Sequence, residues 1–449
     1  MKRQVVLVAL FLLLSSAYGE AFRDGETVCF LGDSITHGGR FHGFIYNYYL
    51  TRFPERTIRF VNAGISGDSA GGAQGRLTED VSDKKPTSVA VMFGMNDVGR
   101  GNYVADPDAQ KKQAQQRALD GYRANMEKLV ARIRGEAGDP RLLFITPSPF
   151  DQTVVNDRNN NQPGCNDGLG LCAVMVREMA KKNGGTVVDF HAPMTAFNLE
   201  RQKSDPAYTL VGPDRVHPGA PGHLMMAWIF LKAQGVPALV SKVAVDAAQS
   251  RVSASENADV SGVTAKDGEC RFTVLEKALP FPVDEAAKPM LALLPIERDL
   301  NQETVAVAGL SSGSYEVLID GAAVGSFPAS ALAAGVNLAF NEATPQFKQA
   351  QAVAKLNEVR RSTECVLRNY AAVRWFLKHR QVNPDDLAAV TVFAETKMGK
   401  TGYYEGQVAG YVKNWPNRAD VIAKVAASEH ELFAARKPVA HTYVVRPAR

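Results

Sequence analysis

The stretch Thr27-Val28-Cys29-Phe30-Leu31-Gly32-Asp33-Ser34-Ile35-Thr36 is a short apolar run closed by glycine, then an Asp-Ser pair that opens a helical pattern. An apolar run of this length bounded by a turn residue reads as a buried strand. Asp or Ser directly after it is the chemistry of a helix N-cap. The run therefore predicts a strand that delivers a serine hydroxyl to a strand-to-helix turn, where the helix amino terminus favours developing negative charge. Ser34 is a candidate nucleophile on that ground.

Outward from this run, four more apolar stretches, Ile58–Asn62, Ser88–Phe93, Leu142–Thr146 and Thr186–Phe190, alternate with helical patterns at Phe44–Arg52, Ala118–Arg134, Leu171–Lys182 and Gly222–Ala233. Such alternation predicts an α/β domain, a doubly wound parallel five-stranded sheet with its site at the carboxyl ends of the strands. Three segments fall at those ends. Asn62-Ala63-Gly64-Ile65-Ser66-Gly67 follows the second strand, Phe93-Gly94-Met95-Asn96-Asp97 the third, and Gly212-Pro213-Asp214-Arg215-Val216-His217-Pro218 precedes the closing helix.

The Gly64 backbone and the Asn96 amide are candidate donors to an oxyanion. The three-residue spacing lets the Asp214 carboxylate hold His217 by Nδ1–H and leaves Nε2 for the serine, a poor nucleophile until a base takes its proton. Asp33 and Asp97 are expected to brace their turns through nearby backbone. His37, Arg40 and His42 are read as lining a substrate pocket or as a partly exposed polar helix start. Arg76 is read as facing the cleft or as paired on the surface.

These four blocks, in this order over about residues 24–236, resemble the SGNH/GDSL hydrolase family. The resemblance implies a flavodoxin-like α/β/α sandwich and ester hydrolysis through an acyl-enzyme. Ser34 would attack, His217 would shuttle the proton, and Asp214 would orient His217. The Ser34 and Gly64 N–H groups and the Asn96 side chain would bind the oxyanion. No metal or organic cofactor is implied, and neither a His-Glu-x-x-His motif nor a zinc spacing of cysteines occurs in the sequence.

The chain has 449 residues, 45% hydrophobic and 22% charged, the composition of a globular protein long enough for two or three domains. A net charge of +4 gives no support to a nucleic-acid partner. Lys2 and Arg3, the apolar run from Val5 to Ala17, and the small residues Ala17 and Gly19 read as a signal peptide cleaved after Gly19. The run is shorter than the roughly 20 residues of a membrane span. Residues 1–19 are thus expected to be a leader, and the mature chain to be secreted or periplasmic with no integral membrane segment. Five cysteines are too few for a disulfide framework, and the pairs Cys165–Cys172 and Cys270–Cys365 are left open.

The catalytic domain is expected over 20–237 and a β-rich domain over 238–449. In the second half Val243–Val245, Val260–Val263, Cys270–Leu275, Thr304–Ala308, Tyr315–Ile319 and Val324–Phe327 read as strands, with hairpin turns at Asp267-Gly268 and Asp320-Gly321. They predict a β-sandwich that carries a helical excursion over about 345–436, including Gln346–Arg361 and Val366–His379, before a strand at Thr442–Arg446. The basic run Arg360, Arg361, Arg368, Arg374, Lys378, His379 and Arg380 reads as a solvated helix face over an apolar stripe rather than a site for an acidic polysaccharide. Trp375 and Trp415 read as packing residues rather than sugar platforms.

The expectation is an exported serine esterase that removes short acyl groups, acetyl foremost, from an acetylated oligo- or polysaccharide. The sugar preference rests on analogy with other secreted relatives that carry a β-domain. The alternatives are a lipase, lysophospholipase or thioesterase of the same family, and a glycan-binding or scaffolding module with an inert hydrolase domain.

Overall fold

The computed structural model describes residues 20–396 and 403–448, so the expected leader lies outside the described residues. The first half is built on β1 (Thr27–Gly32), β2 (Arg59–Gly64), β3 (Ser88–Met92), β4 (Arg141–Ile145) and β5 (Thr186–Val188). They form one parallel sheet in the order β2-β1-β3-β4-β5. The order reverses at β1, which puts the crevice of an open α/β sheet beside the end of that strand.

Both faces of the sheet are covered, which is why β1 is apolar throughout rather than alternating. Val28 and Phe30 join a core with α2 (Arg40–Arg52) and Leu224, Met226 and Phe230 of a later helix. Cys29 and Leu31 point the other way, into a core with Leu129 and Ile133 of a long helix and Val176 of another. Between β1 and α2 sits α1 (Ser34–Gly38), and a short α3 (Leu77–Asp80) follows β2. The remaining helices of this half are α4 (Ala109–Glu136), α5 (Cys165–Asn183), α6 (His191–Gln202) and α7 (Ala220–Ala233). All five cysteines are unpaired. Cys165 and Cys172 are nearly two turns apart on α5, a rise of about 10 Å that no disulfide spans.

The second half holds β6 (Leu239–Asp246), β7 (Arg251–Glu256), β8 (Ala258–Lys266), β9 (Glu269–Glu276), β10 (Gln302–Ala308), β11 (Ser314–Ile319), β12 (Ala322–Pro328), β13 (Val336–Asn337) and β14 (Ala440–Pro447). Short helices α8 (Ile296–Leu300) and α9 (Ala329–Ala334) lie among them. The strands form two sheets, β13-β10-β6-β7 and β12-β11-β14-β9-β8. Val243, Val245, Val305 and Val307 of the first meet Phe272, Val274, Val317, Ile319, Tyr443 and Val445 of the second in one core. Asp267-Gly268 and Asp320-Gly321 turn with all four φ values positive, as tight hairpins require.

The helical segment departs from expectation in two ways. Its first part is one helix, α10 (Pro345–Lys378), followed by α11 (Leu387–Thr396), α12 (Tyr403–Asn414) and α13 (Arg418–Ala435). It also packs on the first half: Ala350 and Val353 of α10 and Leu432 of α13 share the core of α2 and α7. The exposed edge of β2 is covered by α10, where Asn62 N–H donates to Glu364 Oε1 at 3.2 Å. The basic run is accordingly not one solvated face: Arg360 is 1% exposed and Arg368 7%, while Lys378, His379 and Arg380 at its end are exposed. Trp415 is packed among Tyr370, Tyr411, Arg374 and Arg418. No helix among the described residues is long and apolar enough to cross a membrane.

Candidate active site

At the end of β1 the chain turns so tightly that a Cβ on Gly32 would stand 2.3 Å from Thr36 Oγ1. Asp33 caps α1 by accepting Ile35 N–H at 3.0 Å, and burial pushes its carboxyl up to about 6. Ser34 is then the first residue of the helix. Its Oγ lies 2.7 Å from His217 Nε2, and His217 Nδ1 lies 2.5 Å from Asp214 Oδ2. Asp214 Oδ1 also accepts the N–H groups of Val216 and His217 at 3.1 and 3.0 Å. Burial alone would raise the Asp214 carboxyl, but the bonds from His217 and Val216 hold it below its ordinary value. A histidine bonded to a carboxylate on one nitrogen and a hydroxyl on the other can take the hydroxyl proton. The centre is open: the side chains of His217 and Asp214 are 51% and 43% exposed.

The loop that presents Asp214 and His217 is held by a residue the sequence reading passed over. Arg215 has φ +66°, a left-handed conformation that costs a non-glycine residue about 1–3 kcal/mol. Its buried guanidinium offsets this by donating to Asp151 O and Val154 O at 2.9 Å and to Asn160 Oδ1 at 2.9 Å. In the Asp-x-x-His spacing this position reads as filler, so nothing in the pattern marked it.

Asn96 stands at the end of β3 and donates one amide hydrogen to Asp68 O at 2.8 Å. Its second hydrogen remains for another acceptor. Asp97 ties the neighbouring loops together by accepting Ala70 N–H at 2.9 Å and Gly94 N–H at 3.0 Å, and burial pushes its carboxyl up to about 7.

Gly64 does not take the place expected of it. It is the last residue of β2, its N–H donates to Asn62 Oδ1 at 2.9 Å, and a Cβ there would meet His37 N at 2.1 Å. It is a glycine because α1 packs directly on it. Gly67, three residues on, is exposed with φ +80°, and among the described residues its N–H and that of Ser34 have no acceptor. The signal that separates the two glycines is the end of the strand, which runs to Gly64 rather than Asn62.

Of the expected pocket residues, His37, His42 and Arg76 are placed otherwise, while Arg40 is a partly exposed polar residue at the start of α2. His37 is buried, and its Nδ1 accepts Ser66 N–H at 3.1 Å, so it shapes the loop before Gly67. His42 is buried against Phe30, with Nε2 3.1 Å from Thr36 O. Arg76 neither faces the cleft nor pairs on the surface. It is buried and donates to Asp68, Asp80, Ala63 O and Gly32 O. Arg40 is half-exposed and pairs with Asp284 at 2.9 Å.

Burial lowers His37 and His42 to about 4 and His223 to about 3, against 6.5 in the unfolded chain. A folded value below the unfolded one means stability that is present above pH 6.5 and is lost as the pH falls through 4. Histidine Cε1–H NMR spectra are expected to show these three of the eight histidines still neutral at pH 5. Ordinary titration of all three would refute their placement.

Three comparisons bear on this geometry. Residues 30–225 match the model of the GDSL-like Lipase/Acylhydrolase family. An acetylxylan esterase of Geobacillus stearothermophilus is 29% identical over 226 residues, 47% of this chain and 94% of that protein. The solved structure of BT4096, a gut microbial diltiazem-metabolizing enzyme, is 31% identical with a TM-score of 0.88, over 96% of this chain and 100% of that one. The last likeness spans the α/β half, the sandwich and the helical layer together.

Proposed function

Because the chain belongs, through residues 30–225, to the GDSL-like lipase/acylhydrolase family, we propose that it is an exported serine esterase that removes short acyl groups, acetyl foremost, from carbohydrate. The observation that carries the reading is the unbroken chain of bonds Ser34–His217–Asp214 at 2.7 and 2.5 Å.

In the proposed reaction Ser34 Oγ attacks the ester carbonyl as its proton passes to His217 Nε2, and Asp214 stabilises the imidazolium that forms. The carbonyl oxygen, now negative, is received by the Ser34 and Gly67 N–H groups and the free hydrogen of the Asn96 amide. His217 returns its proton to the leaving alcohol, and water repeats the sequence on the acyl-enzyme. The exposure of His217 and Asp214 favours an ester carried on a large polar body that stays in solvent while only its acyl group is held. The likeness to an acetylxylan esterase over nearly the whole of that protein supports acetyl on a glycan.

The test is acetate release from acetylated xylo-oligosaccharides by the mature chain, beside aryl acetate, butyrate and octanoate. Diltiazem is included because the full-length relative is named for metabolising it. Acetate is expected from the sugar, with aryl acetate turned over faster than octanoate. A preference for octanoate with no acetate from any glycan would replace this reading with a lipase-like one.

A further inference from the structure

Helix α10 lies outside the matched residues 30–225, yet its side chains reach the back of the loops that carry the proposed site. Its contacts fall at successive turns: Arg361 Nη1 donates to Gly38 O, Glu364 accepts Asn62 N–H, and Arg368 enters the end of β2. The buried Arg368 guanidinium donates to Gly64 O from Nε at 3.3 Å and from Nη2 at 3.2 Å, and grips Asp80 with Nη1 and Nη2 at 2.8 and 3.0 Å. Asp80 Oδ2 also accepts Arg76 Nη1 at 2.8 Å, and Arg76 Nε donates to Asp68 Oδ2 at 2.7 Å. The peptide oxygen of Asp68 is the one that receives the Asn96 amide.

Two cations and two carboxylates thus alternate in a buried line from α10 to Asn96. Burial would raise Asp80, but Arg368 and Arg76 hold its carboxyl well below the ordinary range, so it stays an anion between them. Buried pairs of this kind are weak sources of net stability, since desolvation consumes most of the attraction. Their geometry, by contrast, is strict. A planar fork bonded to a carbonyl and a carboxylate at once leaves the Gly64 peptide one orientation. That peptide is where the segment carrying Gly67 and Asp68 begins.

We propose that Arg368 is a positioning residue for Asn96 among the oxyanion donors, acting through Asp80, Arg76 and the Asp68 peptide. The proposal rests on the reading of Asn96 as one of those donors. It assigns the helical layer a part in turnover that a spacer or a glycan-binding appendage would not have.

The test is steady-state kinetics of the full-length mature chain on an aryl acetate, for Arg368→Gln, Arg368→Lys, Asn96→Ala and the doubles, with thermal unfolding as the check on folding. Arg374→Ala serves as control, because Arg374 lies on the same helix but pairs with Asp385. Arg368→Gln is expected to lower kcat about 10- to 100-fold, the loss usual for a partner that orients a reacting group, with KM changed less than about three-fold. Lysine keeps the charge without the fork, so Arg368→Lys recovers part of the loss. In the Asn96→Ala background the same substitutions are expected to cost less than about three-fold, since the group they position is gone.

A folded Arg368→Gln protein with wild-type kcat, or an equal loss in both backgrounds, would overturn the proposal. Should the glutamine variant not fold, the lysine variant carries the same comparison. Wild-type kcat in Asn96→Ala alone would remove the donor itself and this proposal with it, whereas the first two outcomes remove only Arg368.

Discussion

Replacing Ser34 by alanine is expected to lower kcat on an aryl acetate by about 10⁶-fold, the loss seen when a serine hydrolase is deprived of its nucleophile. The substitution removes one oxygen from a partly exposed position whose bond is to His217 Nε2, which water can then solvate. The cap of α1 belongs to Asp33 and Ile35, so the helix keeps its first turn. Thermal unfolding should therefore change little while turnover disappears, and no acyl-enzyme burst should form. Activity above about one part in a thousand of the parent, in protein freed of host esterases, would remove Ser34 as nucleophile.

Asp214→Asn is expected to cost about 10⁴-fold in kcat. The asparagine oxygen can still accept the Val216 and His217 N–H groups that Asp214 Oδ1 holds at 3.1 and 3.0 Å, so the loop keeps its shape. What changes is the atom facing His217 Nδ1. An amide N–H in place of Oδ2 asks Nδ1 to accept, which leaves the proton on Nε2 and turns the imidazole from base into donor toward Ser34. The imidazolium also loses its counter-charge. A loss smaller than ten-fold in folded protein would show that Asp214 does not set the tautomer, and the proton path would need another residue.

The parallel sheet was legible because its strands are buried on both faces, so Val28 through Leu31 could be apolar without a break. The sandwich strands could be read from alternation and from two Asp-Gly turns. The strand Arg251–Glu256 escaped because it is an edge strand facing solvent, and its residues are mostly polar. Ser34, Asn96, Asp214 and His217 could be brought together because Ser34 and Asn96 lie in the turns after β1 and β3 and Asp214 and His217 in the loop before α7. Gly64 and Gly67 could not be told apart, since strand ends blur by a residue or two, and it takes the bond to Asn62 Oδ1 and the close approach of α1 to separate the packing glycine from the exposed one. The α10 contacts had no local signature at all. An amphipathic pattern says that a helix has a buried face, but Arg360 and Arg368 in that face read as surface charge until Glu364 and Asp80 are seen beside them.

The position of β14 carries a consequence for how the nascent chain assembles. It lies between β9 and β11, pairing Cys270 with Val445 on one side and Ile319 with Tyr443 on the other. Until Ala440–Pro447 arrives, that sheet is two separate halves whose facing edges have no partner. Unpaired strand edges template wrong pairings, and closing so long a loop is slow. The four helices α10 to α13 lie inside that loop; α10 and α13 pack on the core of α2, and α11 and α12 pack on the later turns of α10. A chain released or cut before residue 440 should therefore yield aggregate rather than an active fragment.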